Sequence, residues 1–296
     1  MKPAPFDYHS PATVEDALRL LEQHSGEARL LAGGQTLIPM MNYRVATPAV
    51  LVDLNGIASL DYIKSDDRVV RIGAMTRQRA IQFSPIVAND LPLLREAVGF
   101  VGHLPTRSRG TIGGSLANAD PAAELPMALQ ALEGEVTVVS LKGERTIPAH
   151  EFFVDTMTTT IEPDEILTEV RFPVMGKRAR YAVEEFSRRR GDFAIAAIAV
   201  MLVEDGGKCA KARISTAGIS SHSTRLRDVE KILEGSSLDE ETVAAAARVA
   251  SEVVEPISDR NGSAEYRRHL AGVLTRRSLS KAAGIELRRT PAPAVL

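Results

Sequence analysis

Two pairs of adjacent glycines, each beside hydroxyl- or amide-bearing residues, are the part of this sequence best suited to chemistry. The first pair lies in "AGGQT" (32–36) and the second in "TIGGS" (111–115). Glycine permits positive φ and lacks the Cβ that would hold a ligand away from the backbone. Successive glycines after a strand can turn several N–H groups toward one point and so bind an anion. Two such loops could hold the two phosphates of a dinucleotide, although Gly-Gly is also common at ordinary strand–turn junctions.

Three better-known motifs that use glycine or serine are missing from the sequence. Neither the P-loop pattern G-x-x-x-x-G-K-[ST] nor the dinucleotide turn G-x-G-x-x-G occurs. Ser115 is a poor candidate for a hydrolase nucleophile, because "GGSLA" lacks the second glycine of G-x-S-x-G. No sequence motif supports a catalytic triad assembled from scattered Ser, His and Asp residues. The residues therefore favour an anion site over a nucleophilic one.

The composition is that of an ordinary globular protein, with 44% hydrophobic and 25% charged residues among 296. A net charge of −2 gives no general attraction to nucleic acid or to an anionic membrane. No apolar run approaches the ~18 residues of a membrane span, and the N-terminus lacks the apolar segment of a secretory signal. We therefore expect a cytoplasmic protein without a membrane span or a nucleic-acid partner.

The cysteine and histidine content limits what the chain can ligate. Cys209 is the single cysteine, whereas a cysteine-ligated iron–sulfur cluster normally needs four thiolates. The six histidines show neither H-x-x-x-H nor H-E-x-x-H spacing, so no metal site is predicted. If this protein moves electrons, the carrier must be organic or must lie on another chain.

The elements that must position the glycine motifs can be predicted from hydrophobic periodicity and turn residues. Thr13 can cap a helix through "VEDALRLLEQH", and "ARLLAGG" is a short strand that ends in the first glycine pair. Further strands are predicted at "AVLVDLNGI", "RVVRIGAMT" and "DEILTEVRFPV", with a hairpin turning at Lys142-Gly143. Helical patterns run from Arg77 to about Gly102 and through "PMALQALEG".

The pattern of the chain changes at about residue 176, which we take as a domain boundary. A charged, strand-like stretch is followed by two apolar strands around an Asp205-Gly206-Gly207 turn. From about 224 to 283 the pattern is helical, and the tail at 286–296, rich in proline and alanine, is predicted to be disordered. This layout predicts an α+β protein with a mixed first domain and a smaller domain of strands backed by helices.

Both glycine motifs, their separation and the later "RRRGDFAIAAIAV" resemble the flavoprotein (medium) subunit of the molybdenum hydroxylases, and most of all the carbon monoxide dehydrogenase branch. The resemblance covers about residues 3–285. It implies an FAD-binding domain of the vanillyl-alcohol-oxidase type at 1–175, with subdomains at about 1–56 and 57–175. A smaller C-terminal α/β domain would follow at 176–285.

In that family both double-glycine loops contact the FAD pyrophosphate. Carried over position by position, the resemblance implies FAD contacts from Ala32, Gly33, Gly34, Gln35 and Thr36 and from Thr111, Ile112, Gly113, Gly114 and Ser115. Many relatives have histidine or serine at positions 35 and 36, asparagine at 115 and, commonly, histidine where this chain has Asn118. The polar replacements here keep hydrogen-bonding capacity, so FAD binding is still expected.

The resemblance implies further contacts from residues that also have a purely structural interpretation. Glu124 matches a carboxylate near the adenosine ribose, although a carboxylate at a helix start is equally favoured by the helix dipole. Asp120 either caps that helix or faces the flavin. Ile166 and Leu167 match a strand that lies against the cofactor, but an ordinary core strand would look the same.

The segment "RRRGDF" (188–193) aligns with a family segment whose aromatic residue lies beside the isoalloxazine ring. Phe193 would then stack on one flavin face, whereas the alternative is a core phenylalanine that opens an apolar strand. Three successive arginines precede this glycine, and they form either a solvated strand end or a basic surface that attracts an acidic neighbouring subunit: Arg188, Arg189 and Arg190.

Glu184 and Glu185 stand near a position where relatives carry a lysine close to the flavin. A nearby cation favours the anionic reduced flavin. The flavin potential of this chain therefore cannot be carried over from its relatives.

The resemblance implies an oxidoreductase role as the FAD subunit of a heterotrimeric molybdenum hydroxylase, with no catalytic residue of its own for the organic substrate. A small subunit with two [2Fe–2S] clusters and a large molybdopterin subunit would be its partners, in a dimer of heterotrimers. Electrons would leave for an external acceptor. A self-sufficient flavin oxidase and a nucleotide-binding regulatory or assembly protein are the alternatives. The organic substrate is not readable from this chain.

Overall fold

A computed structural model describes residues 2–286 of the chain. The tail predicted to be disordered lies outside these residues, apart from its first member, Glu286. Three regions follow one another along the chain, each built around its own main sheet.

The first region, which ends near residue 60, is a parallel sheet with two helices. In chain order its elements are β1 (Asp7–His9), α1 (Val14–Gln23), β2 (Ala28–Leu31), α2 (Leu37–Asn42) and β3 (Val50–Asp53). The strand order is β1-β3-β2, with Leu30 opposite Val52. Helix α1 starts as predicted, because the Thr13 hydroxyl accepts a hydrogen bond from the Asp16 N–H.

The second region is an antiparallel sheet of order β4-β5-β10-β6-β7 covered by short helices. Its elements are β4 (Ile63–Ser65), β5 (Val69–Gly73), α3 (Gln78–Phe83), α4 (Pro85–Asp90), α5 (Pro92–Val98), α6 (Leu104–Arg109), α7 (Ile112–Asn118), α8 (Glu124–Ala131), β6 (Glu135–Ser140), β7 (Gly143–Pro148), α9 (Ala149–Phe152), β8 (Phe153–Asp155), β9 (Thr158–Thr159) and β10 (Ile166–Pro173). The predicted hairpin is confirmed, since Ser140 pairs with Gly143 across the turn.

The helical stretch predicted from Arg77 to Gly102 is broken into α3, α4 and α5. Pro85 and Pro92 each occupy the first position of a new helix. Proline cannot continue the preceding helix because it lacks an N–H, but its fixed φ suits a first turn. The Ser84 hydroxyl also caps α4 by accepting a hydrogen bond from the Val87 N–H.

The third region is an antiparallel sheet backed by three helices. Its elements are β11 (Ala179–Phe186), β12 (Ala196–Asp205), β13 (Lys208–Ala217), β14 (Thr224–Arg225), α10 (Arg227–Leu233), α11 (Glu240–Val253) and α12 (Ala264–Ala283). The sheet order is β11-β12-β13-β14, and β12 and β13 are joined by the predicted Asp205-Gly206-Gly207 turn.

The third sheet separates two apolar cores. Along β12, Ala197 and Ala199 pack into the core of the second region, while Ile198 and Val200 belong to the core that the sheet shares with α10, α11 and α12. Successive strand residues point to opposite faces of a sheet, so a continuous apolar run is required where both faces are buried. This explains the uninterrupted apolar run "AIAAIAVML" at 194–202, all of it buried.

Glu133, two residues beyond the end of α8, joins the second region to the third through three cations. Its carboxylate accepts hydrogen bonds from Lys211 (2.5 Å), Arg213 (2.6 Å) and Arg225 (2.9 Å). Burial opposes ionisation of Glu133, but these donors outweigh it and lower its pKa to about 2. The second and third regions are thus joined by charge as well as by apolar packing.

Candidate functional site

The first glycine motif forms an open turn between β2 and α2. Gly34 has φ +70°, a conformation that residues with a Cβ rarely adopt. Within residues 2–286, the five successive amides from Gly33 to Leu37 donate to no protein acceptor. Gly33, Gly34 and Thr36 are half-buried and Gln35 is exposed. Free N–H groups that follow one another in a turn attract an anion by their combined dipoles.

The second glycine motif lies in the first turn of a helix, not in the loop that the sequence predicts. Thr111 is the N-cap of α7, and its hydroxyl accepts from the Gly114 N–H at 3.0 Å. The N–H groups of Ile112, Gly113 and Ser115 donate to the carbonyls of Thr76, Ala74 and Thr111. The loop expectation for this motif is wrong because a threonine N-cap satisfies the backbone locally. Its amides are therefore used inside the protein.

The tertiary structure brings the two motifs into contact. A Cβ built on Gly33 would lie 2.4 Å from the Arg109 carbonyl oxygen, just before the second motif. A Cβ on Gly114 would lie 3.2 Å from the Ala32 Cβ. Glycine at position 33 is thus required by the close approach of two backbone segments. Within the second motif, Gly114 and Ser115 are half-buried, whereas Thr111, Ile112 and Gly113 are buried.

Asn55 and Arg77 hold the two motifs together, and sequence reasoning missed both. The Asn55 side-chain amide donates to the Ala32 carbonyl at 2.9 Å. Arg77 donates to the Asn55 side-chain oxygen at 2.6 Å and also to the Arg109 carbonyl. Burial and the neighbouring Arg109 charge lower the pKa of Arg77. Asn55-Gly56 is a sequence pair typical of a turn, and such a pair does not show which carbonyl the Asn55 side chain will reach.

Asp120 and Glu124 lie at the start of α8. Asp120 accepts a hydrogen bond from the Ala122 N–H at 2.9 Å, and the N-cap of α8 is Ala123, so the interpretation of Asp120 as a helix cap is wrong. Glu124 is the first helical residue and is 7% exposed. Burial first, and then the charge of Glu185, raise the pKa of Glu124 to about 8. Within the described residues its carboxyl is hydrogen-bonded by its own backbone N–H and by no other residue.

The remaining predicted residues fall into two environments. Ile166 and Leu167 are buried in apolar cores of the first and second regions, at the start of β10. Phe193 is 69% exposed in the loop between β11 and β12, so the alternative that it is a core residue is wrong. Arg188, Arg189 and Arg190 are exposed in the same loop, as expected of a solvated strand end.

The residues present fit FAD in three respects. The open amides of 33–37 match the oxygens of a diphosphate. The buried carboxyl of Glu124 receives no hydrogen bond from another described residue, so it could accept one from a hydroxyl or N–H of the cofactor. The exposed ring of Phe193 is available for stacking on a flat heterocycle. The site roles predicted for individual residues nevertheless stay predictions.

The fold and this site define a two-domain dinucleotide-binding protein of the flavoprotein class. Residues 4–175 match the family model described as "FAD binding domain in molybdopterin dehydrogenase". Residues 181–282 match the model described as "CO dehydrogenase flavoprotein C-terminal domain". The chain belongs to this family of FAD-binding subunits. The predicted α+β fold class, the FAD cofactor and the oxidoreductase assignment are thereby confirmed.

Similar proteins cover nearly the whole chain. The 6-hydroxypseudooxynicotine dehydrogenase complex subunit alpha of Paenarthrobacter nicotinovorans is 42% identical over 95% of this chain and 96% of its own. The carbon monoxide dehydrogenase medium chain of Afipia carboxidovorans is 39% identical over 95% and 98%. Among solved structures, a carbon monoxide dehydrogenase from Hydrogenophaga pseudoflava superposes with a TM-score of 0.94 at 38% identity, over 96% of this chain and 99% of that one.

Between residues 2 and 286, each helix is too short or too polar to cross a bilayer.

The domain boundaries predicted at 56, 175 and 285 stay predictions, although the two family matches leave a gap between 175 and 181.

Proposed function

We propose that this chain is the FAD-binding electron-transfer subunit of a heterotrimeric molybdenum-cofactor hydroxylase. When bound, FAD supplies the redox chemistry that links a one-electron donor to an external acceptor. The observation that carries the proposal is the run of five unpaired amides at 33–37 in a chain of this family. The organic substrate would be oxidised on another subunit.

The assignment of the metal cofactors to other subunits is supported by the scarcity of metal-ligating residues in this chain. Its one cysteine, Cys209, is buried, so four thiolates for a [2Fe–2S] cluster would have to come from elsewhere. In the described chain, no group of three or more His, Cys, Asp or Glu side chains is placed to hold a metal ion. We propose a small [2Fe–2S] subunit and a large molybdopterin subunit as partners, in a cytoplasmic dimer of heterotrimers.

The residues of this chain would bind and orient the cofactor. The amides of 33–37 would hold the diphosphate, while Asn55 and Arg77 keep that turn against the second motif. Gly114 and Ser115 would complete the same surface, and the exposed Phe193 ring would cover one face of the flavin. These are binding roles, so no residue here acts as acid or base on the organic substrate.

The test is a visible spectrum of the full chain purified alone. We expect the flavin band near ~450 nm, either as isolated or after reconstitution with FAD. A colourless protein that cannot be reconstituted would contradict the FAD assignment. Oxidation of an organic substrate at full rate by this chain alone would instead favour a self-sufficient flavin oxidase and contradict the subunit role.

A further inference from the structure

A groove lies between α11 and α12, the two longest helices of the third region. Its volume is about 460 Å³, which is within the range of small-molecule sites. Both helices line it, and three of the lining residues are arginines: Arg248 of α11 and Arg268 and Arg276 of α12. These helices pack on the face of the third sheet that points away from the second region. The α11–α12 groove is therefore separate from the glycine motifs.

The floor of the α11–α12 groove is low because small residues meet there. A Cβ built on Gly272 would lie 3.1 Å from the Ala247 carbonyl oxygen and 3.3 Å from the Ser251 Cβ. Glycine at this position lets the two helices approach each other closely. Since Gly272 has no side chain and Ala247 has only a methyl group, a depression remains between the longer side chains on either side.

The three arginines surround this depression. Arg268 and Arg276 each lie four residues from Gly272, one before it and one after it, so the helix presents all three positions on one face. At 1.5 Å per residue the two arginines stand about 12 Å apart along the axis of α12. Arg248 belongs to α11, on the other side of the groove. Cations therefore stand at both ends of the depression and on its facing wall.

These guanidinium groups are poorly used inside the protein. Within residues 2–286, the side chains of Arg248 and Arg268 form no ion pair and donate no hydrogen bond. Arg276 lies 3.6 Å from the Glu240 carboxylate, too far for a hydrogen bond, and its Nε atom is buried without a partner among the described residues. A buried polar atom is normally hydrogen-bonded. The groove thus offers donors that an external acceptor could satisfy.

The charge of the groove is opposite in sign to that of the whole chain. Its lining includes one acid, Glu265, which lies one turn before Arg268 at the end of the groove away from Arg276. Three arginines and one glutamate give a formal charge of +2 with His269 neutral, whereas the chain has a net charge of −2. A cleft lined by one sign of charge attracts ligands of the other sign. Guanidinium groups, in particular, donate paired N–H bonds that match the oxygens of phosphate.

We propose that the α11–α12 groove binds a soluble phosphate-bearing molecule, whose phosphate groups lie over Gly272 and accept hydrogen bonds from Arg248, Arg268 and Arg276. A diphosphate has enough charged oxygens to accept from three guanidinium groups at once, whereas a single carboxylate is satisfied by one. His269 would add a ring N–H to the same surface. The site only binds its ligand, and it depends neither on FAD nor on the proposed function.

The experiment is a calorimetric titration of the full chain, saturated with FAD, with inorganic pyrophosphate. FAD is included because the open amides of 33–37 could also bind a diphosphate. Wild type should bind pyrophosphate, and Arg248→Gln and Arg268→Gln should each raise the Kd about tenfold, because each removes charge-assisted hydrogen bonds. Arg277→Gln is the matched control: Arg277 is exposed on α12 beside Arg276 but does not line the groove, so the Kd should stay at the wild-type value.

Several results would overturn the proposal. Wild type that does not bind pyrophosphate, an unchanged Kd in both groove variants, or an equal loss in Arg277→Gln would do so. So would a short polyglutamate peptide that binds as tightly as pyrophosphate and loses affinity in the same variants, since the groove would then be a docking surface for an acidic protein. If circular dichroism shows that one groove variant does not fold, the other makes the same test from the other helix. Absence of FAD binding by wild type would instead contradict the proposed function, while the comparison of variants with pyrophosphate would still test the groove.

Discussion

The two glycine motifs have similar sequences and opposite uses of their backbone. At the first motif the amides of 33–37 are unpaired among the described residues, and Gly34 has a positive φ. In 111–115 the amides are consumed by a threonine cap and by neighbouring carbonyls. The first motif is suited to bind an anion, and the second to support the first by packing beside Ala32 and Gly33. Adjacent glycines thus mark close backbone approach, whether the approaching group is a ligand or another segment.

The largest effect is expected at the contact between the motifs. Gly33→Ala places a Cβ 2.4 Å from the Arg109 carbonyl oxygen, which belongs to a backbone that cannot move aside cheaply. We expect a loss of about 1–3 kcal/mol in unfolding free energy together with loss of bound FAD. Thermal unfolding and flavin content measure these. The matched control is Gly176→Ala, where a Cβ would meet no atom within 4 Å. Equal behaviour of the two variants would show that the motifs do not depend on each other.

The second prediction concerns Gly114 and distinguishes a loss of FAD binding from a loss of folding stability. In Gly114→Val, the new side chain would press on the Thr111 hydroxyl (2.8 Å from Cβ) and the Ala32 Cβ (3.2 Å). Both neighbours are side-chain rather than backbone atoms, so we expect the fold largely to survive while the distorted motifs no longer retain FAD. Flavin content after gel filtration and far-UV circular dichroism test this, with Gly114→Ala as a milder step in the same direction. Unchanged flavin content in the valine variant would mean that the second motif does not shape the first.

The smallest effect is expected from removal of the Thr111 hydroxyl, which caps α7. Thr111→Val removes the hydroxyl that accepts from the Gly114 N–H, which should cost about 1 kcal/mol of stability. Affinity for FAD should stay close to wild type, because that hydroxyl is already used inside the protein. Thr111→Ser, which keeps the cap, is the control in chemical denaturation and FAD titration. A large loss of affinity with little loss of stability would place the Thr111 hydroxyl on the cofactor.

The local elements were largely predictable because their signals are local. The Thr13 cap, the Lys142-Gly143 hairpin and the Asp205-Gly206-Gly207 turn all stand where side-chain and glycine chemistry place them. The long helical pattern of 77–102 was less accurate, since apolar periodicity continued across two prolines that start new helices. Apolar periodicity indicates which side of a helix is buried, whereas a proline determines where a new run of helical hydrogen bonds begins.

The site was predictable only in part. Glycine motifs are visible in sequence, but Asn55 and Arg77 are ordinary polar residues until the fold brings them beside Ala32 and Arg109. Phe193 could have been a core or a surface residue by its type, and its exposure settled which. A side chain's partners depend on distant segments, which a local pattern does not contain.

By itself the sequence determined the element types, the two glycine motifs and the limit that one cysteine places on cluster ligation, because these depend on residue identity and short-range geometry. The tertiary structure alone decided that the motifs touch and which of them keeps its amides free. It also decided that Glu124, at the start of a helix, has a buried carboxyl. Burial and backbone approach are properties of the packed chain, and they convert common residue types into a specific site.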